Sequence, residues 1–224
     1  IAGDTATAGK TFELLQFNDQ HPVTNPITGR AITPTPFYSQ TLGPPFNGGA
    51  AGQALPTLDL PRVFVLTGSG TCSASEAIMN GLRGVDVEVI QIGSTTCGKP
   101  YGFYPAHNCG TSYFTIQFRG VNEKNFGDYT DGFSPNNTPP DEAGTVIPGC
   151  SVADDFSKQL GDSTEGRLAT ALAYRDGGAC PAEASGLVPG ALSKASSPST
   201  AAEAASQEVI VPKSPWHTNR IMRP

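Results

Sequence analysis

The hydrophobic pattern is most regular in the middle of the chain. Residues 62–67 (RVFVLT) are apolar and β-branched on both parities, the pattern of a strand covered on both faces. Residues 74–82 then carry apolar side chains at 74, 77, 78 and 82, a spacing that predicts a helix stopped at Gly84. Residues 85–93 (VDVEVIQIG) alternate apolar and polar before ending at glycine, which reads as a second strand. Strand, helix and strand in this order make a βαβ unit, whose two strands run parallel with a right-handed crossover.

Weaker signals flank this unit. A further strand is predicted at residues 113–118 (YFTIQF), and residues 11–17 (TFELLQF) are the one apolar run in the first sixty. Capping residues followed by apolar positions 168, 171 and 172 predict a helix over 162–173. A Pro- and Gly-rich stretch up to Leu60 (NPITGR, PTPF, GPPFNGGAAG) reads as a long ordered loop or lid, and residues 119–150 are polar, aromatic and turn-rich. The expected organisation is a core over 1–181, an Ala/Ser/Pro-rich linker over 182–207, and a C-terminal strand (EVIVP) and tail over 208–224.

Composition narrows the function. A formal charge of −6 leaves no basic surface for a phosphate backbone, so no nucleic-acid partner is expected. No apolar stretch approaches the roughly 18 to 20 residues that span a bilayer. The five cysteines, Cys72, Cys97, Cys109, Cys150 and Cys180, contain no C-x-x-C pair. Disulfides in an oxidising compartment are therefore expected and a structural zinc site is not, with one thiol left over.

Candidate chemistry lies in TGSGTCSASEAIMNGLRG, residues 67–84. Ser73-Ala-Ser-Glu76 matches the S-x-x-E capping box, so the stretch can be read as an ordinary helix start. It also lies at the carboxyl end of a buried parallel strand, where a helix N-terminus aims free amides into the crevice in which open α/β sheets bind ligands. A serine there is placed as a nucleophile, with the following amide, that of Ala74, available to an oxyanion. The histidines, His21, His107 and His217, are scattered and no G-x-S-x-G elbow is present, so a Ser-His-Asp triad has weak support. Lys99 follows the second strand in STTCGKPYG, and the loops after neighbouring parallel strands open at the same edge. A lysine acts as a base near neutral pH when burial lowers its pKa. Pro100, Tyr101, Phe103 and Tyr104 supply suitably apolar surroundings.

The stretches VFVLTGSGTCSASEAIMNGLRG and IGSTTCGKPYG together resemble the core of the carboxyl-terminal-processing (tail-specific) serine peptidases, whose signature is S-A-S-A-S-E followed by T-F-G-K. The resemblance covers roughly residues 1–180 and implies an α/β fold with a crotonase-like (ClpP/crotonase) core of parallel strands and flanking helices. It implies Ser73 as nucleophile and Lys99 as general base, with Glu76 supporting the helix start, no metal or organic cofactor, and a polypeptide substrate. The family's orienting glutamine, four residues after the lysine, is replaced here by Phe103; Gln117 on the next strand is the expected substitute. Tyr101 and Phe103 are expected to line a substrate cleft. The family's D-L-R-x-N-G-G-G oxyanion loop has no counterpart before Ser73, since Asn47-Gly48-Gly49 follows prolines. Ile1 would then begin just beyond that loop and a PDZ-like module, leaving this chain alone an incomplete enzyme.

On this resemblance the loops bearing Ser73 and Lys99 bring Cys72 and Cys97 together, so a Cys72–Cys97 bridge is expected, with Cys109 and Cys150 as the second pair. The implied location is the periplasm or cell envelope of a bacterium, or secretion. Two other readings stay open: an inactive peptide-binding or scaffold module of the same fold, and an esterase-type hydrolase using the same dyad. Asp154-Asp155 is expected at a helix start, and Phe64, Ile90, Phe114 and Phe118 in the core. Oligomeric state is not legible.

Overall fold

The computed structural model describes residues 1–44 and 49–181. The expected linker and C-terminal strand, and Asn47-Gly48, lie outside the described residues. The elements run α1 (Asp4–Thr7), β1 (Thr11–Gln16), β2 (Thr35–Pro36), β3 (Arg62–Thr67), α2 (Ala74–Gly84), β4 (Glu88–Gly93), β5 (Tyr101–Gly102), β6 (Ala106–Asn108), β7 (Thr111–Tyr113), β8 (Phe118–Val121), β9 (Phe133–Pro135), β10 (Thr145–Ile147), β11 (Gly149–Cys150) and α3 (Gly166–Gly177).

The fold is mixed α/β. β3 and β4 pair in parallel in unbroken register from Arg62↔Glu88 to Thr67↔Gly93, and β11 adds in parallel to the other side of β4, giving the order β11-β4-β3. A four-stranded sheet in the order β2-β1-β8-β5 is antiparallel throughout. β9 and β10 form a short parallel pair and β6 and β7 a hairpin.

Alternation along β4 explains how the parallel sheet is covered. Val89 belongs to one core cluster with Met79 and Leu82 of α2 and with Tyr129, Phe133 and Ile147. Ile90 and Ile92 belong to a second, with Cys150, Val152 and Ala171 of α3. Burying both faces is what a nearly continuous apolar strand requires. α2 also lies close to β1, because Gly81 has no side chain: a Cβ there would stand 2.6 Å from the Phe12 ring.

Several expectations are corrected. The run 113–118 is not one strand: Thr111–Tyr113 turns back on Ala106–Asn108, and a separate strand begins at Phe118. Phe114, between the two, is exposed instead of core, and Phe64 is half-buried, whereas Ile90 and Phe118 are buried. The second strand of the βαβ unit begins at Glu88, not 85. The last helix starts at Gly166, not 162, because the Glu165 carboxylate caps it by accepting from the amides of Arg167 and Leu168. Asp154 and Asp155 start no helix; Asp154 pairs with Arg167 at 2.9 Å and Asp155 accepts from Ser157.

Candidate functional site

The ends of β3 and β4 carry the two candidate loops. At the end of the ladder the Ser94 amide donates to the Thr67 carbonyl at 3.1 Å, and further out the Cys97 amide donates to the Thr71 carbonyl at 3.0 Å. The loops therefore run side by side. A disulfide joins Cys72 to Cys97, with Cα atoms 5.3 Å apart. One bridge thus lies immediately before Ser73 and two residues before Lys99.

Ser73 has φ 56° and ψ −106°. An ordinary N-cap is extended. A non-glycine residue with positive φ costs on the order of 1–3 kcal/mol and persists only where its surroundings over-determine it. The capping reading of the sequence therefore explains part of the motif, the return of Glu76 to the Ser73 amide at 2.9 Å, but not the backbone of Ser73. That backbone is sharply turned between strand and helix, the local geometry that exposes the nucleophile of α/β-hydrolases. Ala74 is the first residue of α2 and is exposed; the first amides of a helix have no intrahelical acceptor.

Glu76 is fully buried and is the centre of the arrangement. Its Oε2 accepts from the amides of Ser73 and Lys99 (2.9 and 2.8 Å), and its Oε1 from the Thr96 hydroxyl and the Gly98 amide (2.6 and 2.8 Å). Thr96 in turn accepts from the Phe133 amide at 2.8 Å, which fastens the Lys99 loop to β9. Gly98 takes φ 73°, and a Cβ there would stand 1.9 Å from the Thr130 carbonyl oxygen, so only glycine lets the loop pass.

Burial and charge act on Lys99 in opposite directions. Burial lowers its pKa below the ordinary 10.5, and the nearby Glu76 opposes this with a smaller upward pull. Burial first and then the Glu76 charge push the Tyr129 hydroxyl well above its ordinary value.

The fold has a counterpart among solved structures. A crystal structure of a Bacteroides fragilis protein named as a "putative S41 protease" superposes with a TM-score of 0.52 at 21% sequence identity. The likeness covers 80% of this chain and 39% of that protein, so the chain spans well under half the length of its counterpart. No protein-family model and no curated protein matches the sequence.

The remaining candidates sit as follows. Gln117 presents its side-chain oxygen to the Tyr104 amide at 2.8 Å, and its own amide donates to the Gly102 carbonyl at 3.0 Å. It therefore holds the segment just after Lys99 against the residue before β8. Tyr101 is half-buried and lines a cleft of about 880 Å³ between β1, β8 and the loop that follows β1, together with Phe17, Val23, Ile27 and Ile116. Phe103, expected in such a cleft, is instead buried and packs edge-on against Phe114 with centroids 5.4 Å apart. An apolar ring cannot take the place of an orienting glutamine amide.

The second cysteine pairing is also corrected. Cys150 bonds to Cys180, and Cys109 is a free, exposed thiol. β11 is seated on β4, and α3 packs against the same strand. The end of α3 thus delivers Cys180 to Cys150, whereas Cys109 sits in the turn of the β6–β7 hairpin. Sequence reasoning missed Thr96, Gly98, Tyr129 and Cys180. Thr96 and Gly98 stand within STTCGKPYG, but their partner Glu76 belongs to the first turn of α2. Among the described residues, no group of three His, Cys, Asp or Glu side chains is placed to hold a metal ion.

Proposed function

We propose that this chain carries the catalytic machinery of a serine endopeptidase with a crotonase-like core, working through a Ser73/Lys99 dyad. The observation that carries this reading is the shared Glu76 carboxylate, which fixes the strained Ser73 and the Lys99 backbone to one point. The S41-like fold and the resemblance of the two motifs to tail-specific peptidases support it.

In this reading the Ser73 hydroxyl attacks the scissile carbonyl and neutral Lys99 takes its proton. The oxyanion is held by the Ala74 amide at the start of α2. The lysine passes the proton to the leaving amine, and water then hydrolyses the acyl-enzyme by the same route. Tyr101 forms part of the wall along which an extended polypeptide lies, and Gln117 holds the loop after the base. Disulfide usage favours an envelope or secreted setting.

A serine-reactive phosphonate applied to the full-length protein tests this. Labelling at Ser73 that disappears in Ser73→Ala supports the peptidase. Absence of labelling across the pH range would instead assign a peptide-binding module, and hydrolysis of acyl esters without cleavage of unfolded protein would assign an esterase.

A further inference from the structure

Links of two kinds tie the Ser73 loop to the Lys99 loop. One is hydrogen bonding: the fully buried Glu76 carboxylate with its four donors, and the Cys97 amide on the Thr71 carbonyl. The other is the Cys72–Cys97 bridge, whose Cys97 end is exposed. A solute can reach and break only the second. The remaining disulfide is less open, since Cys150 is 0% exposed, in the core beside Ile90 and Ile92, and Cys180 is half-buried.

We propose that Cys72–Cys97 is a redox switch on the candidate site: oxidised, it holds the two loops in working register; reduced, it leaves only hydrogen bonds between them, with more play at Ser73 and Lys99. This rests on the Ser/Lys peptidase reading for what is switched, but not for the switching itself. The residue next to the bridge, Ser73, holds a backbone conformation that relaxes unless over-determined. On the other loop, only Gly98 separates Cys97 from Lys99, so the bridge anchors the chain two residues before the candidate base. Removing the covalent tie therefore loosens the loops where alignment matters most, and misplacement of reacting groups by about 1 Å costs on the order of 10²-fold in rate.

The reductant is a dithiol, small or proteinaceous. Its thiolate attacks the exposed Cys97 sulfur, the S–S bond breaks, and Cys72 leaves as a thiolate that takes up a proton. The second thiol of the reductant resolves the mixed disulfide, freeing Cys97. Two electrons and two protons pass to the protein, and the reductant ends as its own disulfide. The site would thus be silent in a reducing compartment and switched on in an oxidising one.

The test uses the full-length protein titrated with dithiothreitol, with thiol mapping by mass spectrometry to find the window in which Cys72–Cys97 is reduced and Cys150–Cys180 intact. Within that window two readouts are taken: phosphonate labelling of Ser73, and hydrogen exchange at the amides of Ser73, Gly98 and Lys99. The switch predicts labelling slowed by about 10²-fold and faster exchange at these amides, both reversed on reoxidation. It also predicts a Cys72→Ala/Cys97→Ala variant fixed in the slow state whatever the redox conditions. Unchanged exchange after selective reduction overturns the switch, as does labelling that is equal in both states. If the oxidised protein is not labelled at all, the peptidase reading fails, and the exchange data still decide the switch.

Discussion

The main-chain amides of Ser73 and Lys99 donate to the same atom, Oε2 of Glu76, at 2.9 and 2.8 Å. Residues from two different loops therefore cannot separate without breaking a buried charge-assisted hydrogen bond, of the kind worth about 1.5–3 kcal/mol. The opening of α2 is at once a helix start and the clamp for the loop after β4.

The dyad is tested by removing each half. Ser73→Ala should abolish phosphonate labelling and peptide cleavage. Lys99→Ala should lower kcat/KM by about 10²–10⁴-fold, the usual contribution of a general base. Unchanged circular dichroism in both variants would show that the fold is retained. Full activity in Lys99→Ala would remove the lysine from the mechanism.

The pH profile follows from Lys99. Its base form is neutral, so activity should rise with pH through an ionisation below 10.5, since burial lowers this pKa. The same group makes stability rise with pH as well. Below its folded pKa the unfolded chain holds the lysine proton more readily, so this group's penalty is full at low pH. Between the folded pKa and 10.5 the penalty falls as pH rises. Because Glu76 pulls the pKa upward, Glu76→Gln should move the limb of the activity profile to lower pH. A limb unmoved or moved upward would contradict the electrostatic account.

Glu76→Gln also tests the clamp. Its new NH₂ group must face two donors that the carboxylate oxygen accepted, at a cost on the order of 3 kcal/mol. A lowered urea midpoint with an unchanged m-value, together with faster hydrogen exchange at Gly98 and Lys99, is the expected outcome.

Gly98→Ala is expected to cost on the order of 3 kcal/mol or more, because the methyl group meets the Thr130 carbonyl at 1.9 Å in a positive-φ conformation. Thermal melting reads it directly.

Cys180→Ser should destabilise by about 3.5 kcal/mol from the loop-entropy rule, since it opens a bridge of sequence separation 30. Cys109→Ser should leave the melting temperature where it was, because that thiol is free and exposed. The reverse pattern would restore the Cys109–Cys150 pairing.

Much of the βαβ unit was legible because its signals are local. Helical spacing set α2 between Ala74 and Gly84, and the apolar runs set β3 and most of β4. The run YFTIQF misled because alternation over six residues cannot tell one strand from the end of a hairpin followed by an exposed link. The turn at Cys109-Gly110, where Cys109 takes φ 47° and Gly110 φ 79°, folds Thr111–Tyr113 back on Ala106–Asn108, while Phe118 starts a strand that pairs with β1 and β5 instead.

The sequence by itself determined where the helix after β3 begins, which strands flank it, and that Ser73 and Lys99 stand at neighbouring strand ends. Those properties depend on the period of the pattern and on residues a few positions apart. Tertiary structure alone decided that Glu76 gathers donors from both loops, that Cys150 meets Cys180, and that Phe103 faces the core. Each depends on which elements pack together, a matter of long-range burial that spacing along the chain does not encode.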